Sequence, residues 1–156
     1  MNNYMKLEIS ALGENESFAR SAVAAFALYL NPSLTELSDI KTAVSEAVTN
    51  CIVHAYKKGE DNKIIIECKT EIQGVRGVLH IKITDFGCGI EDTEQALSPF
   101  FTTLANDERS GMGFTIMQTF MDAFTLQSEK GKGTEVYMKK FVGIVENERV
   151  KDGVNA

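Results

Sequence analysis

Val78-Leu79-His80-Ile81-Lys82-Ile83-Thr84-Asp85-Phe86-Gly87-Cys88-Gly89 is the stretch on which the fold turns. Apolar and polar residues alternate from Val78 to Thr84, the two-residue period of a half-buried strand. The strand runs directly into an aspartate followed by two glycines. Upstream, Lys63 to Glu71 is rich in β-branched residues and reads as another strand. Gln73-Gly74-Val75-Arg76-Gly77 lies between them as a turn, so the two strands are expected to be adjacent and antiparallel.

Outward from this hairpin, the N-terminal half is helical. Residues 6–10 alternate and suggest a short first strand. Residues 16–31 carry Phe18, Val23, Phe26, Ala27 and Leu30 at helical spacing, and Asn31-Pro32-Ser33 breaks the pattern. A second helix is expected over about 34–57. Its stripe is Ile40, Ala43, Val44, Ala47, Val48, Cys51, Ile52 and Ala55, and Lys57-Lys58-Gly59 forms the stop. Beyond the hairpin, 91–110 reads as a mobile loop with one helical turn. A helix opens at Gly111-Met112-Gly113 and runs to about Phe124, Gly131-Lys132-Gly133-Thr134 turns, and Glu135 to Phe141 is the last strand. The order is strand, helix, helix, strand, strand, loop, helix, strand. It predicts an α+β fold, a two-layer α/β sandwich with helices on one face of a mixed sheet. Strands do not alternate with helices as a doubly wound fold requires.

A length of 156 residues predicts a single domain, taken as residues 1–145, with 146–156 a frayed polar tail. The net charge of −6 argues against generic binding to nucleic-acid backbones, which needs a basic footprint. Three cysteines with no paired spacing argue against a disulfide frame or a zinc site and fit a reducing cytoplasm. Neither a signal peptide nor an apolar run long enough to span a bilayer is visible, so no membrane association is expected.

Glu46 and Asn50 stand four apart on the second helix and point from one face, with His54 continuing the row. A carboxylate and an amide oxygen so placed can hold hydrated Mg²⁺ beside phosphates or activate a hydroxyl. They could equally form a solvated helix flank. Asp85, between an apolar strand and glycines that let a ligand approach the backbone, can accept a hydrogen bond from an exocyclic amine such as adenine N6. It could instead cap its own turn. Ser110-Gly111-Met112-Gly113 precedes a helix whose free N–H groups favour phosphate, or else Ser110 is a simple N-cap. Gly131 to Thr134 is a hairpin turn that could also bring the Thr134 hydroxyl to a base. Cys88, between two glycines, reads as a small packing residue rather than a reactive thiol. Asp85-Phe86-Gly87 also spells the magnesium motif of eukaryotic-type protein kinases, but the catalytic-loop and strand-lysine signatures that should accompany it are missing.

Taken in order, Glu46-Ala-Val-Thr-Asn50, Asp85-Phe-Gly-Cys-Gly89-Ile90, Ser110-Gly-Met-Gly113-Phe114 and Gly133-Thr134-Glu-Val136 resemble the GHKL ATPases. That superfamily includes gyrase, Hsp90, histidine kinases and MutL. Ser98-Pro-Phe-Phe-Thr-Thr103 and Glu108-Arg-Ser-Gly-Met-Gly-Phe-Thr-Ile-Met117 narrow the resemblance to the anti-sigma factor serine kinases of spore-forming bacteria. The resemblance implies a Bergerat fold that binds ATP or ADP with Mg²⁺. It assigns Glu46 to general-base work and Asn50 to Mg²⁺. It places Asp85 on the adenine amine, with Gly87, Gly89, Ile90 and Thr134 nearby, and His54 at the same pocket. Residues 91–110 become an ATP lid carrying Thr102 and Thr103. Arg109 would reach the terminal phosphates, and Ser110, Gly111, Met112 and Gly113 would cradle them.

The partners implied are a sporulation sigma factor of the sigma-F type, which is held inactive, and an anti-anti-sigma factor phosphorylated on serine, with the kinase acting as a homodimer. Arg20, a lone cation on an otherwise apolar helix, is a candidate contact to the sigma factor, or a snorkelling surface residue. Three rivals remain, the last an ATP-driven clamp like gyrase or Hsp90, for which no second domain is visible to transmit the motion. A histidine-kinase ATP-binding domain would need a phosphoacceptor histidine on a dimerising helix, and only His54 and His80 exist. A nucleotide-gated sigma-binding module without catalysis would leave Glu46 and Asn50 without a chemical task.

Overall fold

The computed structural model describes residues 2–57, 62–98 and 112–143. Five strands form one sheet: β1 (Asn3–Ser10), β2 (Lys63–Gln73), β3 (Arg76–Asp85), β4 (Ala123–Glu129) and β5 (Gly133–Val142), in the spatial order β1-β2-β3-β5-β4. All four pairings are antiparallel, where a mixed sheet was expected. The helices are α1 (Glu14–Ala27), α2 (Leu34–Asn50), the single turn α3 (Thr93–Ala96) and α4 (Gly113–Phe120).

The layers follow from the periodicities. Ile64, Ile66 and Cys68 of β2, Leu79, Ile81 and Ile83 of β3, and Val136 and Met138 of β5 present one buried face. The helical layer fills it with Val23 and Ala27 of α1, Ile40, Val44 and Val48 of α2, and Met117 of α4. The opposite face is polar, as the alternation requires. There Lys82 pairs with Glu67 at 3.0 Å, and His80 bridges Glu71 and Tyr137 at 2.7 and 2.6 Å. The α1 stripe differs in one member from its expectation. Ala19, Val23, Ala24 and Ala27 turn inward, whereas Phe18 is 53% exposed, one position off the stripe.

α2 begins with a complete capping box: the Ser33 hydroxyl accepts the Glu36 N–H at 3.1 Å, and the Glu36 carboxylate accepts the Ser33 N–H at 2.7 Å. Its far end departs from the single helix expected to Lys57. After Asn50 the chain widens into one π turn, Cys51–Ala55, and is extended at Tyr56.

The larger correction concerns the fourth helix. It stops at Phe120 rather than Phe124, and residues 123–129 form β4, a strand absent from the expected order. Met121 is already extended, and the Asp122 N–H donates to the Lys139 carbonyl at 2.8 Å, opening the ladder to β5. The Phe141 N–H donates back to the Asp122 carboxylate at 2.8 Å. The Lys140 ammonium then closes the helix. It donates to the Phe120 carbonyl at 2.7 Å and pairs with Asp39 of α2 at 3.4 Å. The frayed-tail expectation for 146–156 lies outside the described residues.

Candidate nucleotide site

Between α2, α4 and the β3 end of the sheet lies a cleft of about 910 Å³. Glu46, Asn50 and His54 line it from the α2 side, Asp85, Cys88, Gly89 and Ile90 from the turn after β3, Met112 and Gly113 from the start of α4, and Thr134 from β5. Nine of the sequence-derived candidates therefore meet at one place, though they are spread over nearly ninety residues of chain.

The Glu46–Asn50 row is turned toward the N-terminus of α4. A side chain built on Gly113 would meet the Asn50 amide at 3.1 and 3.3 Å and the Glu46 carboxylate at 3.3 Å. Glycine at the first position of α4 thus lets the helix start come up against both polar side chains. Among the described residues, no side chain caps that helix. Its first N–H groups stay available to a ligand in the cleft, as phosphate binding at a helix start requires.

Asp85 is 5% exposed and closes the other end of the cleft. Its carboxylate accepts the Gly87 N–H at 3.0 Å, so the turn-capping alternative is realised as part of the site rather than in place of it. The Thr134 N–H and the Cys51 thiol are also close enough to favour its charged form. Burial pushes the Asp85 carboxyl above its ordinary value, and Gly87, Cys51 and Thr134 pull it partly back. The Cys51 thiol, buried beside that carboxylate, is held well above the ordinary thiol range.

Two turns of backbone are shaped by what glycine omits. Gly89 has φ +70° and Gly133 φ +105°, and a Cβ on them would collide with the Glu129 and Asp85 carbonyls respectively. The turn after β3 is thereby pressed against the β4–β5 hairpin, where the Gly131 N–H donates to the Cys88 carbonyl at 2.7 Å. The Ser128 hydroxyl completes the joint. It accepts the Ile90 N–H at 2.7 Å and lies 2.8 Å from the Thr134 hydroxyl. Gly87 is placed differently from its neighbours. It packs beneath the Ala55 carbonyl and is not among the residues lining the cleft. Cys88 is exposed at the cleft and not the packing residue its flanking glycines suggested.

Two contributors escaped the sequence reading. Ser128 sits on the unrecognised β4. Cys51 was assigned only to the apolar stripe, and nothing in its sequence neighbourhood points to Asp85, which lies 34 residues on. Arg20 lies on α1, away from the cleft, 3.7 Å from Glu16, whose carboxylate also accepts the Ser45 hydroxyl. Thr102, Thr103, Arg109, Ser110 and Gly111 lie outside the described residues. Among the described residues, no cluster of three or more His, Cys, Asp or Glu could hold a metal, and no helix is long and apolar enough to cross a membrane.

Comparison with known proteins agrees with this geometry. The family profile of the Histidine kinase-like ATPase domain matches residues 9–140. The fold is found again in two solved structures. One contains the RsbU and RsbW domains of Rv1364c from Mycobacterium tuberculosis (TM-score 0.61, 12% identity, 91% of this chain and 32% of that one). The other is the catalytic domain of histidine kinase ThkA (TM-score 0.52, 16% identity, 90% and 97%). The chain is thus of the histidine kinase-like ATPase class, with buried Asp85 and the helix-borne Glu46–Asn50 row facing one cleft.

Relatives at much higher identity narrow the class. An anti-sigma F factor of Caldanaerobacter subterraneus subsp. tengcongensis is 53% identical over 143 residues, covering 91% of this chain and 96% of that protein. One from Thermoanaerobacter sp. is 54% identical over 142 residues, covering 90% and 95%. One from Clostridium botulinum is 51% identical over 143 residues, covering 92% and 97%. The chain belongs to the anti-sigma F factor family.

Proposed function

We propose that this protein is a cytoplasmic, ATP-dependent protein-serine kinase that also sequesters its sigma factor. It binds a sporulation sigma factor of the sigma-F type and phosphorylates an anti-anti-sigma factor on serine, acting as a homodimer. The observation that carries the reading is the convergence of Glu46 and Asn50 on the first residue of α4, with buried Asp85 across the same cleft.

The residues present fit Mg²⁺ and ATP. A hard amide oxygen and a carboxylate stand beside uncapped helix N–H groups, and a buried carboxylate waits at the opposite end. Asn50 would hold the metal, and Asp85 would accept the adenine amine. Gly113 and its neighbours would present N–H groups to phosphate oxygens. Mg²⁺·ATP supplies the electrophilic phosphoryl group when bound. Little covalent work is then asked of the protein beyond positioning and charge neutralisation. Glu46 would accept the proton of the incoming serine hydroxyl. Arg109 would offset charge growing on the transferring group, and Arg20, on the surface of α1, would contact the sigma factor.

The test is incubation with Mg²⁺, γ-labelled ATP and an anti-anti-sigma protein. Acid-stable phosphoserine on the partner is the expected product. An acid-labile phosphohistidine would instead favour the histidine-kinase reading. ATP binding with no transfer to any anti-anti-sigma partner would refute the kinase and leave a nucleotide-gated binding module.

A further inference from the structure

Asp85 ends β3, yet much of what holds its turn comes from the far end of α2. The π turn Cys51–Ala55 loosens the helix where it passes this segment, and such turns recur at functional sites. The Ala55 carbonyl accepts the Cys88 N–H at 2.7 Å, and Gly87 packs against Ala55. One residue further, Tyr56 is extended (φ −121°, ψ 143°), and its ring packs against the core. Its hydroxyl accepts the Phe86 N–H at 2.8 Å and donates to the Lys63 carbonyl at 2.5 Å.

The Phe86 N–H belongs to the peptide that joins Asp85 to Phe86. The carbonyl of that same peptide is packed against Gly133, where no Cβ could fit. The peptide is therefore held from both sides, by a hydroxyl on its N–H and a glycine on its carbonyl. The hydroxyl also ties it to the start of β2, where Ile64, the neighbour of Lys63, is the register partner of Asp85. Rotation of this peptide would swing both the Asp85 side chain and the Gly87 N–H that it accepts.

We propose that Tyr56 is a positioning residue for base recognition: its hydroxyl fixes the Asp85–Phe86 peptide and so aims the Asp85 carboxylate into the cleft. The inference rests on the nucleotide reading of the site. It predicts a signature that general weakening of the fold would not give, because only a base with an exocyclic amine uses Asp85 as an acceptor.

The experiment is titration of the full chain and its Tyr56→Phe variant with ATP and with ITP, which carries a carbonyl where ATP has the N6 amine. Tyr56→Phe keeps the ring in the core and removes only the hydroxyl. The wild type is expected to prefer ATP. The variant should lose roughly three- to tenfold in ATP affinity, the size of one ordinary hydrogen bond, and nothing for ITP. Turnover at saturating ATP should be unchanged. In an Asp85→Asn background the same substitution should cost nothing more, since the two act through one group. Equal losses for both nucleotides, or no loss for ATP, would overturn the role of Tyr56. A wild type that binds ATP and ITP equally would overturn the Asp85–adenine assignment itself, and this shows before any substitution is made.

Discussion

Asp85→Asn is the substitution that most directly interrogates the cleft. The carboxylate is buried, accepts the Gly87 N–H at 3.0 Å, and lies beside the Thr134 N–H and the Cys51 thiol. Asparagine keeps one oxygen for Gly87 but turns the other acceptor into an NH₂ group. That group faces either a backbone N–H or the adenine amine, both donors. A hydrogen bond to a charged acceptor is worth about 1.5–3 kcal/mol, so nucleotide affinity should fall by roughly 10- to 150-fold. The assay is titration with ADP or ATP, with thermal melting alongside.

Stability should move the other way with pH. Burial raises the folded-state pKa of Asp85 above its ordinary value of 3.8. Between those two values the folded chain holds more protons than the unfolded one, so this group's contribution to stability falls as pH rises through that window. At neutral pH the wild type carries that cost in full, and Asp85→Asn should abolish this pH dependence of stability. Below the ordinary carboxyl range the cost should vanish. Unchanged affinity in a folded variant would refute the placement of adenine at Asp85.

Three further outcomes are expected. Glu46→Gln should lower phosphoryl transfer by about 10²- to 10⁴-fold, the usual weight of a general base, with ATP affinity preserved; single-turnover transfer and nucleotide titration separate the two. Lys140→Met removes the donor to the Phe120 carbonyl and the partner of Asp39. It should cost about 2 kcal/mol in a denaturant melt, by loss of a hydrogen bond from a charged donor, and less when Asp39→Asn is already present. Gly133→Ala places a Cβ at φ +105° against the Asp85 carbonyl. Backbone strain alone should cost about 1–3 kcal/mol, and both the melting temperature and nucleotide affinity should fall.

How much of this was legible in the sequence depended on whether the signal was local. The β2–β3 hairpin was readable because both strands alternate and a glycine-bearing turn joins them. The α2 stripe was readable because its apolar residues recur at i, i+3 and i+4. Glu46 and Asn50 could be placed on one face by helix geometry alone. β4 was not readable. It is a short edge strand, and its first residues extend the apolar spacing of α4, so only pairing with β5 and the lysine closing the helix end separate the two elements. Apart from the β2–β3 hairpin, the direction of the strand pairings was equally hidden, because it depends on β5 returning between β3 and β4.

The sequence by itself determined which residues are the candidates for chemistry, since a carboxylate, an amide and glycine-bearing turns announce themselves by type and spacing. Tertiary structure decided how they are held. Cys51 looked like one more apolar stripe position and became a neighbour of the Asp85 carboxylate. Tyr56 looked like the end of a helix and became the clasp on the next peptide. Gly87 looked like ligand-facing backbone and became the space under Ala55. Each of these contacts joins residues some thirty positions apart. Such contacts exist only after the sheet has brought α2 and the end of β3 together, and no local pattern in the chain encodes that approach.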